Sequence, residues 1–490
     1  MKVPGPESRF GLTFDDVLLV PKYSNVKSRK DANTASRFSR RIPLSIPIVS
    51  ANMDTVTESA MAIAMARLGG IGVMHRFLPL EVEVSEVVKV KRSESVVIED
   101  PITFAPERTI RDAWDAMEEH AVGGIVIVDA DRKVLGLVTR RDINLEEDLS
   151  KTLGEVMTPR KDLVTASKGI PLKEAERLLH KHKIEKLPLV DAKGKLTGLI
   201  TSKDITKRRQ FPHATKDRKG RLRVAAAVGV RGDFLDRARR LHEAGADCLV
   251  VDIAHGHSSY AIETLKTIKK DLGDIEVIAG NVATSKGATD LIKAGADGVK
   301  VGVGSGSICV TRLVTGSGVP QLTAIMDASR AARNYGVPII ADGGVRNPGD
   351  VTKALGAGAS TVMIGSLLAG AEESPGPTIL RDGVRYKLTR GMASLAATID
   401  RKIREGGPRV RESEVIEEII QEVVPEGVEG LIPYRGRVDE VIKQLVGGLR
   451  SGMSYSGAHT VAELQARAEF LRITPAGHKE SLPHDIHKID

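Results

Sequence analysis

Short apolar runs that end in polar residues recur along most of this chain. Ile46–Val49 gives way to Ser50, Asn52 and Asp54, and Gly70–Met74 closes on His75. After a long break the rhythm resumes with Val224–Val230, Cys248–Ile253, Glu276–Gly280, Gly298–Val303, Pro338–Ala341 and Thr361–Ile364. Each run is separated from the next by one helix-length stretch, as in Ser59–Leu68. Runs apolar on both faces are strands of a parallel sheet covered by helices on both sides. Eight such units predict an α/β fold, a (β/α)8 TIM barrel, with its active site at the C-terminal strand ends. The polar residues fall at those ends: Asn52, Asp54, Asp252, Asn281, Asp342, Gly343, Gly344, Gly365 and Ser366.

The break after the second strand holds a repeat. Asp129, Gly136, Thr139 and Asp142 return as Asp191, Gly198, Thr201 and Asp204, each 62 positions later. Ala113, Met117 and His120 return at the same offset as Ala175, Leu179 and His182. Two copies of one supersecondary unit pack as a pseudo-symmetric pair. GIVIVDADRKVLGLVTRRDI and KLPLVDAKGKLTGLITSKDI resemble a tandem pair of cystathionine-β-synthase-type (CBS) domains, a Bateman module. The resemblance implies an adenine or guanine nucleotide bound near Thr139, Asp142, Thr201 and Asp204; the alternative is a pair that only packs. The expected layout is a first barrel part at 1–95, the CBS pair at 96–208 (copies 98–150 and 157–208), and a second barrel part at 209–490.

Composition narrows the class. Aromatics are only 3%, so the core is aliphatic, and two cysteines rule out a disulfide framework and fit a reducing cytosol. No leader-like apolar segment opens the chain and no run of about 18 apolar residues occurs, which predicts a soluble, cytoplasmic protein with no membrane partner. The net charge of +8 is spread along the chain rather than gathered with aromatics, so no specific nucleic acid is expected. A modest positive field would draw in anionic small molecules.

The reactive candidate lies between Lys300 and Gln321. An apolar alternation stops at a glycine-serine run that delivers Cys309, then Thr311 and Arg312. Gly302, Gly304 and Gly306 let the backbone turn sharply beside a ligand, and a thiol on a loop at a strand end has the placement of a nucleophile. A glycine-rich turn with an incidental thiol is the other reading. ADGGVR (Ala341–Arg346) and MIGS (Met363–Ser366) place two glycine sites where such barrels hold phosphate. Amides of Gly344, Gly365 and Ser366, with the Ser307 hydroxyl, could hold one phosphate, and Asp342 could accept from ribose hydroxyls. Cys248, within CLVVD, reads as core.

TFDDVLLVP, SANMDTVTE, AGNVAT, GSICVTR, GVPQLTAI, IADGGVR, VPEGVEGLIPYRG and GGLRSGMSYSGA resemble the motifs of the IMP dehydrogenase and GMP reductase family across almost the whole chain. The resemblance implies a purine mononucleotide substrate, NAD as cofactor (NADP for a reductase), a homotetramer or an octamer of paired tetramers, and a monovalent cation such as K+. By matching position, Cys309 attacks C2 of the purine and Thr311 takes part in proton transfer. Glu426 contacts N1 of the base, and Met53, Met392 and Ala393 line it. Asp252 and Asn281 face the nicotinamide side, near Gly302 and Gly304. The carbonyls of Gly304, Gly306 and Cys309 ligate K+ together with Glu480 and Ser481 of a neighbouring subunit.

The pattern also departs from that family. In the flap expected at about 393–430, Arg401 fits the position of the arginine base, but Lys402 stands where a tyrosine is usual. A charged, helix-like insert follows at 412–423. GMAS replaces GMGS, and Thr389, Ser305, Val310 and Leu482 replace a usual tyrosine, proline, threonine and histidine. The resemblance points to the dehydrogenase, which oxidises IMP to XMP. GMP reductase, which needs no water-activating flap, is the first alternative, and a non-catalytic nucleotide sensor acting through the CBS pair is the second.

Overall fold

The computed structural model of the protein describes residues 10–94, 97–120, 122–406 and 424–483. The chain divides into two compact units: one takes in the chain up to Lys91, His213–Asp217 and everything from Leu222, the other Arg92–Pro212 and Arg218–Arg221.

The first unit is a closed (β/α)8 barrel. Its strands are β1 (Ile48–Ser50), β2 (Ile71–Met74), β3 (Ala225–Val228), β4 (Cys248–Asp252), β5 (Glu276–Val282), β6 (Gly298–Val301), β7 (Ile339–Asp342) and β8 (Thr361–Ile364). They pair in that order, all parallel, and β8 against β1 closes the ring. Although the intervening segment is long, β2 and β3 are direct neighbours, with Val73 opposite Ala225 and Met74 opposite Ala226. Apart from Asp252, Asn281 and Asp342 near their C-terminal ends, the strands are buried, because helices cover the outside and aliphatic side chains fill the middle. Each fully buried Val, Leu or Ile contributes about 1.5–3 kcal/mol.

Two charged side chains are buried within those strands. Glu276 opens β5 and is satisfied by the Ser39 hydroxyl at 2.7 Å and the Arg41 amide at 2.9 Å. Lys300, in the middle of β6, belongs to the site described below. Cys248 is wholly buried, and burial pushes its thiol well above the ordinary range. It is packing, as its apolar context predicted.

The run expected to continue to Val303 ends as a strand at Val301. Gly302 has φ 152° and sends its amide to the Val282 carbonyl (3.0 Å), which turns the chain out of the sheet. β5 runs two residues further than its apolar pattern suggested. Outside the barrel, Val17–Leu19 pairs antiparallel with Phe470–Arg472, with Leu18 opposite Leu471.

In the second unit, Ile110–Glu119, Gly124–Val128 and Val134–Thr139 recur as Leu172–Lys181, Lys186–Val190 and Leu196–Thr201, again 62 positions apart. Each helix packs its apolar face on its own pair of strands. Thr139 and Asp142 form a capping box: the backbone N–H and the hydroxyl of Thr139 both donate to Asp142 Oδ2, each at 2.7 Å. Thr201 ends the corresponding strand, and the side chain of Asp204 lies outside the described residues.

Candidate active site

At the C-terminal mouth of the barrel lies a cavity of about 290 Å³. Met53 after β1, Ser307 after β6, Asp342, Gly343 and Gly344 at β7, and Gly365 and Ser366 after β8 all line it. The glycines are there for room. A Cβ on Gly343, at φ 98°, would stand 2.5 Å from the Ser305 hydroxyl, and one on Gly365 would meet the Met53 sulfur at 3.0 Å. Backbone amides therefore come close to whatever fills the cavity, a geometry suited to an anion.

The cysteine loop sits beside this cavity and is tied in place by backbone bonds from distant parts of the chain. Val310 donates to the Glu426 carbonyl (2.9 Å), Val428 to Ile308 (3.0 Å), Gly391 to Val428 (2.9 Å) and Glu426 to Ala393 (3.0 Å). Three segments, 308–310, 426–428 and 391–393, thus lie side by side, with Cys309 bridged to Gly427. This alignment gathers Cys309, Glu426, Met392 and Ala393. Met392 is fixed further by its sulfur, which accepts the Asp54 amide at 3.4 Å.

Cys309 is half-buried, and its Sγ lies 3.1 Å from the Thr311 hydroxyl. Thr311 opens a short helix, Thr311–Thr315, capped by Val310 without a side-chain bond, so its hydroxyl is directed to the sulfur rather than spent on the cap. Arg312 packs its stem against Gly304 and Gly318 and donates to the Val303 and Val319 carbonyls (3.2 and 2.5 Å). The loop's turn is therefore held from inside.

Behind the loop, Lys300 lies between two carboxylates, 2.8 Å from Asp342 and 3.1 Å from Asp252. Burial alone would lower its pKa, but the two acids, Asp342 first, outweigh it and raise the pKa above the ordinary lysine value. For Asp252, burial pushes the carboxyl up, yet Lys300, Arg76 and a hydrogen bond from Asn52 hold it below the ordinary range. Asn281 donates to the Gly302 carbonyl (2.7 Å) and to Asp342 (3.0 Å). Its Oδ1 is buried with no hydrogen-bond partner among the described residues, a free acceptor at the strand ends.

Some expected members stand elsewhere. Glu480 ends the helix Pro475–Glu480, and the Ser481 hydroxyl donates to the Gly477 carbonyl (2.9 Å). Within this chain neither is bonded to the Gly304–Gly306 loop. The helix Leu395–Gly406 carries Arg401, whose side chain lies outside the described residues, as does the whole stretch 407–423 that includes the expected insert. The carbonyl of Gly306 accepts the Cys309 amide at 3.2 Å.

Several members are not predicted by the sequence. Thr13, Phe14, Asp15, Gln321 and Arg346 also line the cavity, although they lie in or beside recognisable motifs, because an N-terminal turn gives no sign of which strand end it will cover. Lys300 does leave a signal: a charged residue inside an apolar strand requires a buried counter-charge.

Comparison with known proteins agrees with this geometry. The model of the "IMP dehydrogenase / GMP reductase domain" family matches residues 11–484. The inosine-5'-monophosphate dehydrogenase of Nitrosopumilus maritimus (strain SCM1) is 56% identical over 480 residues, 98% of this chain and 99% of its own. That of Aquifex aeolicus (strain VF5) is 54% identical over 478 residues, 97% of this chain and 96% of its own. Among solved structures, a cysteine-to-alanine variant of the GMP reductase of Trypanosoma brucei, in complex with guanosine 5'-monophosphate, superposes with a TM-score of 0.92 at 47% identity, covering 98% of this chain and 99% of that one. With the barrel, the thiol loop and the glycine-lined cavity all in place, the chain belongs to the IMP dehydrogenase / GMP reductase family.

Proposed function

We propose that this protein is an NAD-dependent IMP dehydrogenase, which oxidises IMP to XMP at C2 of the purine. The observation that carries the reading is the thiol of Cys309, paired with Thr311 and standing beside an amide-lined cavity at the mouth of the barrel. In this reading the cavity takes the ribose phosphate: amides of Gly344, Gly365 and Ser366 with the Ser307 hydroxyl meet the phosphate, and Asp342 meets the ribose. The base then lies over Cys309, among Met53, Met392 and Ala393, with Glu426 at N1.

The sulfur adds to C2 as the thiolate. Thr311, at hydrogen-bond distance, receives and returns the proton of the thiol and later of water. NAD+, when bound, accepts the hydride that leaves C2. The residues fit it: the free Oδ1 of Asn281 suits an amide N–H such as that of a carboxamide, and Asp252 is kept ionised beside it. Water then replaces sulfur at C2, with Arg401 assigned as the base.

The carbonyls of Gly304, Gly306 and Cys309 are hard oxygen donors appropriate to K+. Glu480 and Ser481 would join them from a neighbouring subunit, so a cation site of this kind requires at least two subunits, in keeping with a homotetramer or larger assembly. The 62-residue repeat is read as a tandem CBS module taking an adenine or guanine nucleotide. Thr139 and Asp142 are already bonded to each other, so such a ligand would share that carboxylate with the cap. No helix among the described residues is long and apolar enough to cross a membrane, in keeping with a cytoplasmic site of action.

Two observations favour a second reading. The T. brucei structure is a GMP reductase, and Lys402 replaces the tyrosine expected beside Arg401. Absorbance at 340 nm separates the two. A rise with IMP and NAD+ supports the dehydrogenase, and a fall with GMP and NADPH in place of that rise would assign the reductase. Cys309→Ala should abolish turnover while mononucleotide still binds. Turnover at the wild-type rate in that variant would rule out the covalent route.

A further inference from the structure

Arg390 ends the strand Val384–Arg390 and leads straight into the 391–393 segment beside Cys309. Its guanidinium is only 18% exposed and holds two carboxylates at once. Nε and Nη2 reach Asp54 Oδ2 at 2.8 and 2.6 Å, and Nη1 reaches Asp400 at 2.6 Å. The first acid follows Met53 at the end of β1; the second lies on the helix Leu395–Gly406, one residue before Arg401. Burial opposes the charge on Arg390, but the two acids outweigh it and raise its pKa further. The arrangement is anchored at both ends. The Arg390 amide reaches the Thr55 hydroxyl at 3.5 Å, that hydroxyl lies 3.3 Å from that of Thr389, and the Asp54 amide holds the Met392 sulfur. A planar guanidinium with fixed donor directions suits such a three-way tie, and an ammonium does not.

We propose that Arg390 is a positioning residue: by joining Asp54 to Asp400 it sets the Leu395–Gly406 helix, and so the backbone of Arg401, against the strand end that carries the base-lining Met53. The inference rests on the dehydrogenase reading. The step it governs is hydrolysis of the Cys309 adduct. Water oxygen bonds to C2 and the C2–S bond breaks. One water proton passes through the base to the released thiolate, and the other ends on N3 as the C2=N3 double bond gives way to the 2-oxo product. No electrons change hands, since the hydride has already left.

The test compares two rates of 340 nm absorbance change with IMP and NAD+. Single turnover, with enzyme in excess, reports adduct formation and hydride loss; multiple turnover also includes hydrolysis. Asp400→Asn should keep the single-turnover rate within about twofold while multiple turnover falls about tenfold. Asp400→Glu should restore most of the loss, and Arg390→Lys should behave like Asp400→Asn. Equal losses in both rates would mean a merely structural tie, and an unchanged multiple-turnover rate would mean no role; either overturns the proposal. If the wild-type protein itself produces no absorbance rise from IMP and NAD+, the dehydrogenase reading fails first and takes this inference with it.

Discussion

Replacing Lys300 with Met removes the one cation between Asp252 and Asp342 and keeps the length of the side chain. With Lys300 Nζ at 2.8 and 3.1 Å from the two carboxylates, the gross attraction is about 6 and 5 kcal/mol at an effective dielectric near 20. Most of that is offset by the cost of taking the three charges out of water. What the substitution exposes is the penalty of two half-desolvated like charges left together, about 3 kcal/mol, the lower end for a broken buried pair because the acids are 17% and 21% exposed. The pH dependence gives the sharper check. In the native protein Asp252 titrates below its unfolded value, so its contribution is present above that value and is lost as pH falls through the folded one. Without Lys300, only Arg76 and the Asn52 hydrogen bond still oppose burial, and the carboxyl is expected to titrate above its unfolded value. The variant then loses stability as pH rises. Urea unfolding followed by circular dichroism, at about pH 5 and about pH 8, reads both effects. Indole fluorescence is the wrong probe, since the only tryptophan, Trp114, lies in the other unit. A loss below about 1 kcal/mol, or one that is equal at both pH values, would falsify this account of the charge cluster.

Two further outcomes follow from the loop. Thr311→Val keeps the shape but deletes the hydroxyl 3.1 Å from Cys309 Sγ. Turnover should fall about 10–100-fold, the worth of one hydrogen bond to a charged sulfur, with binding of the mononucleotide by calorimetry unchanged; a KM effect alone would contradict the assigned role. Gly302→Ala places a Cβ 1.9 Å from the Asp342 carbonyl at a φ that side chains avoid. The melting temperature of the barrel should drop by several degrees, on the order of 2 kcal/mol, and a melt superimposable on wild type would show that the turn can relax.

Much of the fold is legible because barrel strands are written locally. Each is a brief apolar run with a polar end, and a helix must follow it for a parallel neighbour to form. The insertion is visible because a 62-residue offset survives in residue types. What local pattern does not show is which pieces meet. Nothing in VPEGVEG says that Glu426 will donate its amide to Ala393 while its carbonyl accepts from Val310. Only the family resemblance joins Glu426 to Cys309 beforehand. Asp15 and Arg346 are likewise invisible as a pair, because 331 positions separate them and only the closed barrel brings them into contact. Lys300 is readable in principle, and its two acids each stand out in the sequence, but for other duties.

The short antiparallel ribbon of Val17–Leu19 with Phe470–Arg472 has a consequence for biosynthesis. The Val17–Leu19 segment of the nascent polypeptide must wait, with an open row of amide and carbonyl groups, until the far later Phe470–Arg472 segment leaves the ribosome. Throughout that interval the emerging chain offers a sticky border to its neighbours on the polysome. The yield of correctly folded protein should suffer most when translation slows just before the codons for Phe470–Arg472.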